Sequence, residues 1–447
     1  MPRQNPSRPR SLIAKHKTHF NNRTNNEPVG RSSTSNNLSP QELEQIITRA
    51  LISQNDAGSS DFSAVSPPAD SVSVINNGNE VNEKHHVVFS KVHKAASTTV
   101  QNVFLRFAIS HDLNVMLDRS GEHINEGGSL ITESNLYPLP LGHTHDILCN
   151  HLIFNSTEIS RFFPNDTVYI GILRKPFEQF LSTFVYYAGV FKKPPLSKLI
   201  KKFPENPVES FLIDSESYVN KVNPAKDFLN NRMSMDLGFP LNNFELAKVN
   251  QSLIQQFLGD VQSTFDLILI AEQFEESMVL LRRFLGWSTK DILYVKRNVF
   301  TSEDESLSRI KKRNYSSEVM QLFSSWAAID IALYDHFVEF FNERIKKQPG
   351  NFHEEVIQFK EVREQVDTFC SFVRSSHLVS SSKSKYFPST NFTTAFTVTS
   401  YDCILMTLEE MDFMAVAKFL RQIKLNKARR RQHGGKRKIP QSNKAKT

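Results

Sequence analysis

Val87-Val88-Phe89-Ser90-Lys91-Val92-His93-Lys94-Ala95-Ala96-Ser97-Thr98-Thr99-Val100 is the stretch on which the fold turns. The apolar run 86–89 has strand character, residues 91–98 are a polar loop, and residues 99–109 space their apolar side chains with a helical period. Strand, loop and helix in that order make the first unit of a parallel α/β sheet. In such sheets ligands bind at the carboxyl ends of the strands, where a helix N-terminus offers free N–H groups and a positive dipole end to an anion. Ala95, Ala96 and Ser97 are small enough to let a phosphate come close. Lys91 and Lys94 add charge, and Ser97, Thr98 and Thr99 add donors. The loop is not a Walker loop, since it lacks G-x-x-x-x-G-K-[ST], and no G-x-G-x-x-G follows the strand. Taken alone, the same residues also read as Ser/Thr capping of a helix beside two solvated lysines.

A second signal lies further along, in Val168-Tyr169-Ile170-Gly171-Ile172-Leu173-Arg174-Lys175-Pro176. A strand ends at an arginine, and proline stands in the first helical turn, where its missing N–H costs nothing. Ser182 follows two turns later. Arg174 is therefore expected at the same sheet edge as the first loop, with a guanidinium suited to bidentate phosphate binding. Further strands are expected at 114–117, 147–154, 167–173 and 265–270, and helices at 176–191, 243–258 and 273–285. From residue 316 the pattern is mainly helical, with Val319, Leu322, Phe323, Trp326, Ile329 and Leu333 on one apolar face and Val356, Phe359, Val362, Val366, Phe369 and Val373 on another. The fold class that follows is α/β: a P-loop-like parallel sheet flanked by helices, with a mainly helical C-terminal part.

Around this core the composition changes. Residues 1–84 are rich in Asn, Ser, Pro and charge, which predicts a disordered tail with one short amphipathic helix near 40–54. The chain divides into that tail, a catalytic-type domain at 85–348, a helical extension of it at 349–425, and a basic disordered tail at 426–447. Hydrophobic residues make up 39% of the 447, yet 35 are Phe, so the apolar material is concentrated in the folded part. Much of the net charge of +7 sits at the two ends, which gives no ground for a nucleic-acid partner. The three cysteines, Cys149, Cys370 and Cys403, show no CxxC spacing, which excludes a zinc ribbon or a disulfide-dense scaffold. Cys370 and Cys403 either pair or remain buried thiols. No run approaches the ~20 apolar residues of a membrane span, and the N-terminus has no signal-peptide core.

Residues 91–99 resemble the 5'-phosphosulfate loop of the Golgi carbohydrate sulfotransferases, and Arg174 through Ser182 resembles their 3'-phosphate element. Within that group the chain is most similar to the galactose-3-O-sulfotransferases, which include the galactosylceramide sulfotransferase. The likeness is carried by 89–107 with its His-Lys-x-x-Ser-Thr core, by DILCNHLIFN at 146–155, by 167–187, and by 265–285. That family has Thr-Gly-Ser-Ser where this chain has Ala95-Ala96-Ser97-Thr98, so a glycine is replaced by alanine. Related uronyl 2-O-sulfotransferases also place Ala before Ser there, and the loop is expected to survive.

The resemblance implies transfer of a sulfuryl group from 3'-phosphoadenosine 5'-phosphosulfate to a sugar hydroxyl, foremost the 3-OH of a β-galactose on a glycolipid or glycoprotein. It also implies the Golgi, with membrane association, as the place of work. Lys94 is expected to face the leaving phosphate, with Lys91 as a second cation. Ser97, Thr98 and Thr99, with Ala95 and Ala96, are expected to cradle the 5'-phosphate, and Arg174 and Ser182 to hold the 3'-phosphate. His151, inside DILCNHLIFN, is the expected base that takes the acceptor proton, and His93 is the alternative. A histidine base predicts an acid limb in the pH profile at about 6 to 7. His143 and His145 are read as structural, as is Glu272 at a strand end. No metal is expected: His353-Glu354-Glu355 is not HExxH, and fixed cations suffice for a sulfuryl group. The rival from another class is a non-catalytic glycan- or nucleotide-binding protein that keeps the same fold.

Overall fold

The computed structural model describes residues 74–434 except 77–78, 120–122, 126–127, 194, 219–222, 297–304 and 376–382. The helix expected near 40–54 and the residues beyond 434 lie outside the described residues. Inside the stretch expected as an N-terminal tail, Val74–Asn76 and Asn79–Val81 pair as a short antiparallel hairpin.

The strand expected at 86–89 is β1, Val87–Phe89, and the loop after it leads into α1, Ser97–Ser110. Next along the chain come β2, Ile147–Leu148, and β3, Val168–Leu173, which leads into α2, Pro176–Val185. A five-residue helix, α3, spans Arg232–Asp236, and α4, Gln251–Thr264, returns the chain to β4, Leu267–Ile270. The four strands form one parallel sheet in the order β2-β1-β3-β4. All residues of β1, β2 and β4 are buried, as a parallel sheet covered on both faces requires.

Two expected strands are shorter than the sequence suggests. Segment 114–117 contributes a single parallel bridge, Val115 to Ile147, and no strand. Its outer side is closed by a side chain, since Arg421 Nη2 donates to the Val115 carbonyl at 3.0 Å. The strand expected over 147–154 stops at Leu148, because the next polar residues leave the ladder for side-chain bonds. Asn150 accepts from Gln101 (3.0 Å), and His151 Nδ1 reaches the Lys91 carbonyl (2.8 Å).

After β4 the chain is mainly helical, as its periodicity predicts: α5, Phe274–Leu285; α6, Glu305–Lys312; α7, Ala328–Lys346; α8, Phe352–Ser375; α9, Ser400–Thr407; and α10, Glu410–Gly434. The stretch expected as a wholly helical extension is interrupted between α8 and α9 by an antiparallel hairpin of Ser384–Phe387 with Phe396–Thr399. The stripe Val356, Phe359, Val362, Val366 and Val373 is buried, and α8 packs on α5. There Glu355 accepts from Arg282 Nε at 3.0 Å and from Arg283 Nε at 2.7 Å. Cys370 and Cys403 form a disulfide that ties α8 to α9, while Cys149 is a buried free thiol. The apolar interior has two parts. The larger surrounds the sheet, where Trp287 stacks on Phe107 with centroids 3.6 Å apart. A second cluster gathers Phe180, Phe184, Phe211, Phe323 and Trp326 beneath α2, and takes up part of the phenylalanine excess.

The helix α10 runs through the basic residues Arg429, Arg430 and Arg431, where a tail was expected. It is anchored along its length: Gln422 accepts from the Tyr137 hydroxyl (2.9 Å), Lys424 reaches the Asp112 carbonyl (2.6 Å), and Glu410 pairs with Lys91. The Lys91 side chain is fully buried, so its ammonium depends on this carboxylate. Glu410→Ala leaves that charge buried and unpaired, which costs about 3–5 kcal/mol. Urea unfolding is expected to show the loss, with Glu410→Gln, which keeps an acceptor, falling between the two. Equal midpoints for Glu410→Ala and the native chain would show that the pair does not anchor α10.

Candidate active site

Backbone direction makes the loop between β1 and α1 what it is. Lys94 (φ 58°) and Ala96 (φ 60°) are both left-handed, and each turns the following peptide over. The carbonyls of the loop are then taken up by donors outside its mouth. The Val92 carbonyl accepts from the Ser97 hydroxyl (2.5 Å), that of His93 from Gln179 Nε2 (3.0 Å), that of Lys94 from Arg174 Nη1 (3.2 Å) and that of Ala96 from the Thr99 N–H (3.2 Å). Ala96 is the N-cap of α1 and provides no side-chain cap. Of the first-turn N–H groups of α1, that of Thr99 is thus taken by the Ala96 carbonyl, while those of Ser97 and Thr98 have neither an intrahelical acceptor nor a side-chain cap, which is the condition for anion binding.

Cations surround this mouth. Arg174, at the end of β3, is half-buried and also approaches Glu178 at 3.8 Å. The Lys94 ammonium lies 3.8 Å from the centroid of the Tyr186 ring, in the π-helical segment Tyr186–Val190 that follows α2. Burial, with Lys311, Arg174 and Lys91 nearby, brings the Lys94 ammonium down to about 8. Burial and Arg174 lower that of Lys311, on α6, as well. Like charges held together in a half-buried place are relieved by an anion between them.

Beside the loop three imidazoles stack. His93 and His151 have centroids 3.8 Å apart, and His123 lies 5.4 Å from His151 and 6.4 Å from His93. A carbonyl only accepts, so the 2.8 Å contact between His151 Nδ1 and the Lys91 carbonyl puts the proton on Nδ1 and the lone pair on Nε2. His93 is gripped from behind. Asp236 Oδ2 accepts its backbone N–H at 2.8 Å and lies 2.8 Å from its Nδ1, while Arg232 Nε approaches the same Nδ1 at 3.2 Å. The shorter contact assigns the Nδ1 proton to the carboxylate. Burial first, then the neighbouring cations, holds both His93 and His151 well below the ordinary imidazole value. The two rings are therefore neutral at physiological pH. Burial pushes the Asp236 carboxyl up to about 6 against the opposing pull of Arg232, whose Nη2 lies 2.8 Å from Oδ1.

Most of the expected residues meet here: Lys94, Ala95, Ala96, Ser97, Thr98, Thr99, Arg174, His93 and His151 border one loop. Three differ in detail. Lys91 is fully buried and spent on Glu410, so it is no second cation at the mouth. Ser97 turns its hydroxyl inward to Val92 and has its backbone N–H to offer. Ser182 is buried two turns along α2, and that helix reaches the loop through Gln179, with Arg174 reaching it from the turn between β3 and α2. Glu272 is structural as expected, accepting from the Lys175 N–H (2.8 Å) and the Tyr334 hydroxyl (3.1 Å). His145 is buried, with a pKa brought down to about 3 by burial, beside Phe163. Sequence reasoning missed Gln179, Arg232, Asp236, His123 and Lys311. Gln179 had one available signal, since it lies one turn past Pro176 in a helix already assigned to the site.

The model of the galactose-3-O-sulfotransferase family matches residues 44–383. The chain is 33% identical over 292 residues to galactose-3-O-sulfotransferase 2 of Mus musculus, covering 64% of this chain and 69% of that protein. It is 32% identical over 289 residues to galactose-3-O-sulfotransferase 3 of Bos taurus, covering 64% and 63% of the two. The galactosylceramide sulfotransferase of Homo sapiens is 28% identical over 292 residues, 65% of each chain.

Ala96 takes a left-handed conformation that costs an L-residue roughly 1–2 kcal/mol and a glycine almost nothing. Its side chain is exposed, so glycine there loses little packing. Ala96→Gly is expected to raise unfolding free energy by about 0.5–1 kcal/mol, after the extra entropy of the unfolded chain is subtracted. A chemical-denaturation midpoint that falls in the variant would contradict the left-handed turn.

Proposed function

The chain belongs to the galactose-3-O-sulfotransferase family and is a carbohydrate sulfotransferase, and from that premise we propose its donor, acceptor and division of labour. The donor is 3'-phosphoadenosine 5'-phosphosulfate, and the acceptor is the 3-hydroxyl of a terminal β-galactose on a glycolipid or glycan. Family membership is also the ground for proposing the Golgi, at or near its membrane, as the place of action. Among the described residues no helix is long and apolar enough to cross a membrane. The observation that carries the reading is the convergence of Lys94 and Arg174 on an uncapped helix start beside a neutral His151.

The donor supplies an activated sulfuryl group on a 5'-phosphate and marks itself with a 3'-phosphate. The N–H groups at the start of α1 and the hydroxyls of Thr98 and Thr99 would hold the 5'-phosphate, and Arg174 the 3'-phosphate. His151 Nε2 accepts the proton of the galactose hydroxyl as its oxygen bonds to sulfur and the bond from sulfur to the bridging oxygen breaks. Lys94 faces the phosphate oxygen that keeps the electron pair of that bond. His93, stacked on His151 and fixed by Asp236, holds the base in place and is the alternative proton acceptor.

Calorimetry tests the donor. The native chain is expected to bind 3'-phosphoadenosine 5'-phosphate much more tightly than ADP, and Arg174→Ala to erase most of that preference. Because the free Lys94 ammonium titrates near 8, affinity for the nucleotide should fall as pH rises through that value. Lys94→Arg, which stays charged, should flatten this alkaline limb. Equal affinity of the native chain for the two nucleotides would remove the donor assignment.

The base is tested by kinetics. His151→Ala is expected to lower kcat by at least about 100-fold with nucleotide affinity nearly unchanged. A base must be neutral to work, and His151 is held below the ordinary value of 6.5, so the acid limb of kcat/KM should lie below the 6-to-7 range that the residue type alone suggests. That limb should be absent in His151→Ala. An active His151→Ala with an inactive His93→Ala that still binds nucleotide would move the base into the loop.

A further inference from the structure

At the edge of the sheet opposite the loop, before β1 begins and after α1 ends, Glu83, His85 and His111 converge. One ligand atom from each lies within 4.8 Å of the others. The contacts are specific: Glu83 Oε1 is 2.6 Å from His85 Nε2 and 3.3 Å from His111 Nε2. His111 Nδ1 lies 3.0 Å from the Phe107 carbonyl, which can only accept, so Nδ1 carries a proton and Nε2 is the atom left to face the carboxylate. The place between Nε2 and the carboxylate oxygen is one that a proton or a metal ion fills. The geometry points to a divalent transition-metal site of the zinc class, built from Glu83, His85 and His111.

Three properties support a metal in addition to a proton. The donor set of two imidazoles and one carboxylate is a zinc set, and the backbone-bonded Nδ1 of His111 is the second-shell arrangement that orients a metal-binding imidazole. Ligands about 2.0–2.1 Å from a tetrahedral zinc stand roughly 3.3–3.4 Å from one another, and the Glu83–His111 pair already has 3.3 Å. The His85 nitrogen would move outward by under an ångström, which rotation of an exposed carboxylate allows. The site is also pre-formed. Lys84, between two of the ligands, donates its N–H to the Leu285 carbonyl (2.9 Å) and accepts from Trp287 Nε1 (2.9 Å), and His111 is stacked on Phe107 at 4.0 Å. All three side chains are partly exposed, so an ion can enter and a water can fill the fourth position. Neighbouring His86 is not part of the site, being bound to Asp166 at 2.7 Å. A bound zinc would join the segment before β1 to the end of α1, far from the transfer chemistry.

The test uses the purified full chain stripped of metal and titrated with Zn²⁺ against a chromogenic chelator at pH 7.5. One saturable equivalent is expected, lost by about 100-fold or more in affinity in His85→Gln and in His111→Gln, a larger effect than removing an outer-shell partner has. Zinc at 100 times its dissociation constant should raise the melting temperature by about 5 °C in the native chain and not in these variants. Nucleotide affinity should not change in either variant, since neither residue borders the loop. Absence of saturable binding, or binding that survives unchanged in the double variant, overturns the site. In the second case the ion belongs to other histidines.

Discussion

The buried carboxylate of Asp236 is the interaction on which the rest of the site depends. Its Oδ2 takes the His93 N–H and faces the His93 ring, and its Oδ1 pairs with Arg232. Its backbone carbonyl accepts from the Ser90 hydroxyl (3.2 Å) and from the Phe154 N–H (3.1 Å). One residue thus joins the end of β1, the anion loop and the strand-like segment that carries His151. A charge with no exposure survives only when an opposite charge balances it, and the Arg232 guanidinium 2.8 Å from Oδ1 does so here. The short helix that presents Asp236 is fixed in turn from outside. Asp330 accepts from the N–H groups of Met233 (3.1 Å) and Ser234 (2.7 Å), and Asn231 Oδ1 accepts from those of Ile329 (3.1 Å) and Asp330 (2.9 Å). Helices α3 and α7 cap each other, and the register between them sets where the loop sits.

The same electrostatics that prepares the loop for an anion prepares the histidines for a proton. At an effective dielectric of about 20, like charges 4 Å apart repel by about 4 kcal/mol, a cost large enough to shift populations. Lys94 and Lys311 accept part of that cost as lowered ammonium values, and Lys91 is paired with Glu410. His93 and His151 respond by staying neutral. Cations for a polyanion and an unprotonated base can therefore stand side by side without a switch in pH. The anion that the cations attract would also lessen the pressure on the imidazole that receives a proton.

What was legible in the sequence follows from how local each signal is. The strand, loop and helix over 87–110 carry their own periodicity, and Arg174 with Pro176 carries its own punctuation, so both elements and their shared sheet edge could be read. Asp236 and Arg232 sit in Asn231-Arg232-Met233-Ser234-Met235-Asp236, which has no motif; only tertiary packing brings it 143 positions back to His93. Lys91 looks like its neighbour Lys94 in sequence, and a partner 319 residues away decides that one is structural and the other faces the loop. Segment 114–117 has strand composition, but a sheet edge is defined by what lies beyond it, and there Arg421 ends the ladder. Local pattern gave the elements, and long-range charge pairing assigned their tasks.

Replacing glycine by alanine at the turn of the loop shows how that long-range network is used. A left-handed alanine persists only where the surroundings over-determine it. Here they do: four loop carbonyls are held by Ser97, Gln179, Arg174 and Thr99, and the His93 N–H is held by Asp236. Each bond removes a freedom that glycine would have left open. The loop is consequently set in its anion-binding shape before any ligand arrives, and binding need not supply the entropy of ordering it. Two of those donors, Gln179 and Arg174, come from the element expected to read the nucleotide's other phosphate. The geometry of the proposed 5'-phosphate site is thereby coupled to that of the proposed 3'-phosphate site, and strain in a single turn is balanced by contacts that the loop makes in any case.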